Sequence, residues 1–115
     1  MKVIEDAGKF VAAVGPTYVE QLRTHELSFG TYSLPAGCVD TQSPHTEDEI
    51  YVVVSGRGTL WTPELSVPVG PGSAVFVPAN EPHRFIEVTE DLTTLVFFAP
   101  PEGVRDQPGD DSGAG

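Results

Sequence analysis

Two histidines and a glutamate, His45, Glu49 and His83, are the residues of this chain best equipped for chemistry. Two neutral imidazoles and one carboxylate can hold a single divalent cation, in the arrangement known as a facial triad. With only three protein groups, positions stay open for a substrate, for dioxygen, or for a water whose pKa the cation lowers. The local sequences are Gly37-Cys-Val-Asp-Thr-Gln-Ser-Pro-His45-Thr-Glu-Asp-Glu49 and Gly72-Ser-Ala-Val-Phe-Val-Pro78-Ala-Asn-Glu-Pro-His83. Each reads as strand, turn and strand.

From Tyr18 to Phe98 short runs rich in Val, Phe, Tyr and Thr are broken by Gly, Pro, Asn and Asp at close intervals. That pattern predicts an all-β sandwich or barrel. Strands are expected near 18–24, 27–34, 39–45, 49–54, 58–62, 65–69, 74–78, 82–88 and 92–98. Side chains two apart on a strand share a face. Glu49, Tyr51 and Val53 therefore point one way and Ile50, Val52 and Val54 the other, while His83, Phe85 and Glu87 share a face. Both faces of the 49–54 strand are apolar, which predicts a barrel interior on one side and a second sheet or a subunit partner on the other. A homodimer is the expectation. Near the start, Glu5 and Asp6 precede Phe10 and Val14 one helical turn apart, and Gly15-Pro16 is a stop signal, so a short helix is expected there. Gly8 weakens it by about 1 kcal/mol relative to Ala.

With 115 residues the chain has the length of one domain, and its one cysteine, Cys38, can form no internal disulfide. Six Lys and Arg against 17 Asp and Glu give a formal charge of −11, which repels phosphate backbones and anionic lipid. Nucleic acid and membrane surfaces are therefore not expected partners. No charged segment followed by an apolar run opens the chain, and nothing approaches the roughly 18 apolar residues of a membrane span. The expectation is a cytoplasmic protein. Glu102, Asp106, Asp110 and Asp111 mix with Pro and Gly without apolar periodicity, which predicts a disordered acidic tail.

The two Gly-to-His stretches resemble the paired motifs of the cupin superfamily, in particular its small single-domain members. The first motif runs G, five residues, H-x-H, three or four residues, E, six residues, G; Gly37, position 43, His45, Glu49 and Gly56 fit that spacing. The second runs G, five residues, P-x-G, two residues, H, three residues, N, and is matched by Gly72, Pro78 and His83. Three positions depart from it. Ser43 stands where the first histidine belongs, Asn80 replaces a glycine, and Glu87 replaces the final Asn. Asn tolerates the left-handed turn geometry a glycine would serve.

The resemblance implies a double-stranded β-barrel of the jelly-roll type over 27–100, with a short helix and edge strand in 1–26 and the tail in 101–115. It also implies one divalent metal, Fe, Mn or Zn, held by His45, Glu49 and His83. Ser43, Tyr51 and Phe85 are expected to line the pocket, and Glu87 either to transfer protons or to orient His83. Ser43 has three open roles: weak ligand, water site or filler. Strict alternation turns Gln42 away from the pocket, although Pro44 lacks an N–H and an irregular strand there would swing Gln42 inward. Glu47 and Asp48 read as solvated turn residues. The implied function is an oxygenase, isomerase or lyase reaction on a small organic molecule. The alternative is a non-catalytic ligand-binding or sensing module with a degenerate metal site. No dinucleotide fingerprint, P-loop or nucleophile elbow is present in the sequence.

Overall fold

A computed structural model of the chain describes residues 1–104. Six strands follow one another: β1 (Thr17–Arg23), β2 (Ser28–Leu34), β3 (Asp48–Trp61), β4 (Ser66–Val69), β5 (Ala74–Val77) and β6 (Arg84–Ala99). They pair antiparallel in the order β1-β2-β6-β3-β4, and β5 joins β3 through Glu49 to Val52. The all-β architecture agrees with the sequence pattern.

Strands β3 and β6, 14 and 16 residues long, are the spine of the fold. Each was expected as two strands separated by a turn, at Gly56-Arg57-Gly58 and at Glu90-Asp91. The chain instead runs straight through, and the turn signals mark bulges where the β3–β6 register shifts between Val53 and Thr59. Gly56 has φ 89°, and a Cβ there would run into the Asp91 carbonyl oxygen. Only glycine satisfies both conditions, so the bulge bends the paired strands without reversing them.

Alternation places Tyr51 and Val53 of β3 inward, and they join Leu34, Leu60, Val69, Val77, Phe85, Val88, Leu92, Val96 and Phe98 in one core cluster. Ile50 and Val54 face outward and are exposed.

Two expected elements are absent. No helix forms near the N-terminus: Gly8 takes φ 81°, and the segment crosses the outer surface of the sheet against Val54 and Leu95. Its N–H groups find side-chain acceptors instead of a helical ladder, Gly8 on Thr31 Oγ1 at 2.9 Å and Val11 on Ser33 Oγ at 3.0 Å. The strand expected at 39–45 is an irregular loop. Pro44 lacks the donor a ladder would need there. Among the described residues no helix is long and apolar enough to cross a membrane.

The expected tail is only partly described. Pro101 is buried, the Glu102 N–H donates to Ser28 Oγ at 2.8 Å, and the Glu102 carbonyl accepts from Arg23 at 2.7 Å. Pro101 and Glu102 are thus held against the barrel at the start of the expected tail; residues from 105 onward lie outside the described residues.

Candidate metal centre

The site lies where two loops meet the inner face of β3. One loop, between β2 and β3, carries Asp40, Gln42 and His45; the other, between β5 and β6, carries Glu81 and His83. The Asn80 N–H donates to the His45 carbonyl at 2.7 Å and staples the loops together, and the Ala79 N–H donates to the Asp48 side chain, at the start of β3, at 2.9 Å. Asn80 sits at φ 69°, the left-handed turn position that Asn accommodates. Glu49 and Tyr51 enter from β3.

His45, Glu49 and His83 each direct one ligand-type atom into a common space, with these atoms all within 4.8 Å of one another. His83 Nδ1 lies 2.8 Å from the Glu81 carbonyl, which can only accept, so Nδ1 carries the proton and Nε2 of the neutral ring presents a lone pair. That lone pair faces Glu49 Oε1 at 3.0 Å, with both side chains almost completely buried. Among the described residues no well-oriented donor reaches Glu49 Oε1. Two buried acceptors face one another, and a cation between them is the arrangement that satisfies both.

The surroundings add acceptors faster than donors. Gln42 Oε1 lies 3.3 Å from His45 Nε2 and accepts from the Tyr51 hydroxyl at 3.2 Å, and that hydroxyl is also 3.1 Å from His83 Nε2. Burial, then the Glu49 charge, holds the Tyr51 phenol well above its ordinary value, so it remains a donor. Burial disfavours a charged His83, but the Glu49 carboxylate and the Glu81 carbonyl outweigh it and raise the pKa. The His83 proton is thus the natural competitor of a metal for this position.

Next to the triad lies a cavity of about 170 Å³, lined by Tyr18, Tyr32, Gln42, His45, Glu49, Tyr51, Val96, Phe98 and Glu102. Among the described residues no Lys or Arg lines it. Tyr18 reaches over the sheet because β2 carries Gly30 beneath it; a Cβ there would collide with the Tyr18 ring and the Val19 carbonyl. Burial, followed by the Glu102 charge, raises the Tyr18 phenol, whose hydroxyl has no partner among the described residues. Glu102 lies at 4.0 Å from His45 Nδ1, and burial raises its carboxyl against the opposing pull of His45.

Other residues singled out in the sequence fall elsewhere. Ser43 is exposed and does not line the cavity. Phe85 is buried in the core, its ring edge-on to Tyr51 at 5.0 Å, behind the cavity wall. Glu87 is a correction. Two extra residues of β6 between Ile86 and Glu90 break the alternation, so Glu87 takes φ 50°, is exposed, and accepts from Thr59 Oγ1 at 3.3 Å in a separate depression. It cannot serve the His83 site from there. Glu47, expected in solvent, is 1% exposed and bonded by Thr46 Oγ1 at 2.6 Å.

Sequence reasoning missed Asp40, Tyr18, Tyr32 and Glu102. Asp40 is buried and accepts from Tyr32 Oη, from the Gln42 side chain and from the Phe85 N–H. Pro44 was the one local sign that the loop would carry side chains inward.

A family-wide sequence description, the cupin domain, matches residues 30–98, and the chain belongs to this family. An uncharacterized protein of Streptomyces coelicolor is 45% identical over 91 residues, covering 79% of this chain and 87% of that protein. Among solved structures, an uncharacterized conserved protein with a double-stranded β-helix domain from Klebsiella pneumoniae superposes with a TM-score of 0.76 at 13% identity, covering 87% of this chain and 90% of that one. The DMSP lyase DddQ from Ruegeria pomeroyi gives a TM-score of 0.69 at 19% identity, covering 85% of this chain and 54% of that one. At these identities the two structures speak for the fold, a small double-stranded jelly-roll barrel.

Proposed function

We propose that this cupin binds one divalent metal, Fe, Mn or Zn, through His45, Glu49 and His83, and uses it on a small organic molecule held in the adjoining cavity. The observation that carries the reading is the facing pair of buried acceptors, His83 Nε2 and Glu49 Oε1, with His45 beside them. When bound, the metal would supply Lewis acidity toward a substrate oxygen or an activated water.

The protein groups define what kind of substrate fits. A cavity of about 170 Å³ admits only a small molecule, and its aromatic walls favour apolar or unsaturated portions. Glu49 and Glu102 in the lining, with no Lys or Arg among the described residues there, disfavour polyanions such as phosphate esters. Glu102, which lines the cavity 4.0 Å from His45 Nδ1, is the group positioned to hold or accept a proton, and burial raises its carboxyl above the ordinary value. Proton transfer by Glu102 beside a Lewis acid favours an isomerase or lyase reaction over oxygenation. Lyase is also the activity printed in the name of the Ruegeria pomeroyi neighbour.

The test is reconstitution with Fe(II), Mn(II) and Zn(II), followed by metal analysis and a product screen on small oxygenated substrates. One metal per chain with turnover that Glu102→Gln abolishes supports the enzyme; one metal without any turnover favours a ligand-binding module instead.

A further inference from the structure

We propose that Gln42 is a fourth metal ligand, through Oε1, and that Asp40 fixes its amide in the ligating orientation. The inference rests on the metal-site reading above and deepens it.

The orientation of the Gln42 amide follows from its neighbour's chemistry. Asp40 is 3% exposed, and its carboxylate oxygens serve as acceptors. Its Oδ1 takes the Tyr32 hydroxyl at 2.7 Å and the Gln42 backbone N–H at 3.3 Å, while Oδ2 takes the Phe85 N–H at 2.8 Å and Gln42 Nε2 at 2.7 Å. The end of the amide that meets Asp40 must therefore be the NH2. The other end, Oε1, is left facing the centre, 3.3 Å from His45 Nε2 and 3.2 Å from the Tyr51 hydroxyl.

Through the Tyr51 hydroxyl, itself 3.1 Å from His83 Nε2, Oε1 adjoins the space shared by the lone pair of His83 and the orphaned oxygen of Glu49. A flipped amide would point two N–H groups at a cation, so Asp40 excludes the arrangement that would repel a metal. The residue that stands at the family's vacant histidine position, Ser43, is exposed, and its neighbour fills the coordination space from the irregular loop. An amide oxygen is a harder, weaker donor than imidazole, which shifts preference from Zn(II) toward Mn(II) or Fe(II).

The test uses Mn(II) as probe, with binding followed by the loss of the free-ion EPR signal and the number of metal-bound waters obtained from water-proton relaxation. His83→Ala reports on the metal site itself, while Gln42→Ala and Asp40→Asn report on the fourth ligand. We expect Gln42→Ala to bind Mn(II) on the order of 10- to 100-fold more weakly and to gain one bound water, with Asp40→Asn changing in the same direction. In Cu(II)-loaded Gln42→His, pulsed EPR should count three coordinated imidazoles where the unaltered protein shows two. Weaker binding of Gln42→Ala with an unchanged water count, or two imidazoles in Gln42→His, overturns the proposal while leaving the metal site intact. No Mn(II) binding by the unaltered protein overturns the metal site, and the fourth ligand with it.

Discussion

His83 Nε2 stands 3.0 Å from Glu49 Oε1, and the two side chains are 1% and 2% exposed. Because the other nitrogen of His83 is committed to the Glu81 carbonyl, the pair is complete only with a positive charge between its members, a proton below the raised pKa of His83 or a metal above it. Glu49→Gln replaces one acceptor by an amide that can donate to Nε2. Above the titration of His83, the metal-free variant should melt at or above the temperature of the unaltered protein while its metal affinity falls on the order of 100-fold. Parallel melting scans and metal titrations check this; a metal-free variant that melts several degrees lower would show that the pair needs no added cation.

The raised pKa of His83 sets the sign of the pH dependence. In the metal-free protein the stabilisation from the protonated pair is fully present below the unfolded histidine value of about 6.5 and is lost as pH rises through the higher folded value. Metal affinity runs oppositely, rising across the same window as the competing proton leaves. Melting temperatures measured from acidic to alkaline pH, with and without Mn(II), should diverge through that window. In His83→Gln the metal-free slope should flatten there.

The barrel was legible in the sequence because alternation at Glu49, Tyr51 and Val53 is a local pattern that burial enforces. The positions of His45, Glu49 and His83 were legible for a related reason, since turn residues at fixed spacing bring them to one end. Glu87 was misplaced because alternation fails silently at a bulge, and nothing in the residues 86–90 announces the two extra positions. Gln42 and Asp40 lie on a loop, where no period links position to face. Glu102 is held by partners 74 and 79 residues away, Ser28 and Arg23, which a local reading cannot pair.

Gly56 carries the bend that keeps β3 and β6 paired along their length. Gly56→Ala imposes a left-handed backbone on alanine at about 1–3 kcal/mol, before the collision with the Asp91 carbonyl is counted. A fall in melting temperature of roughly 4–8 °C for each kcal/mol is expected. Gly72→Ala is the control for backbone strain alone, since φ there is 90° but open space surrounds the added methyl; equal losses in both variants would show that the Asp91 contact adds nothing.

An outward row of side chains crosses four strands: Phe76 opposite Ile50, Ile50 opposite Phe97, and Phe97 opposite Phe29. Phe76 and Ile50 are 60% and 42% exposed, and Phe97 stacks on Phe29 at 4.8 Å. A contiguous apolar face of this kind favours association of two copies. Sedimentation should show a dimer at high micromolar concentration that Phe76→Glu converts to monomer, and a monomer before any substitution would count against it.

The most direct test of the metal centre is a Mn(II) titration of the chelator-treated protein, read by the disappearance of the free-ion EPR signal. One tight site per chain is expected, with none in His83→Ala or Glu49→Ala. A free Mn(II) signal that the unaltered protein leaves undiminished, with Zn(II) and Fe(II) giving the same result, would contradict the account.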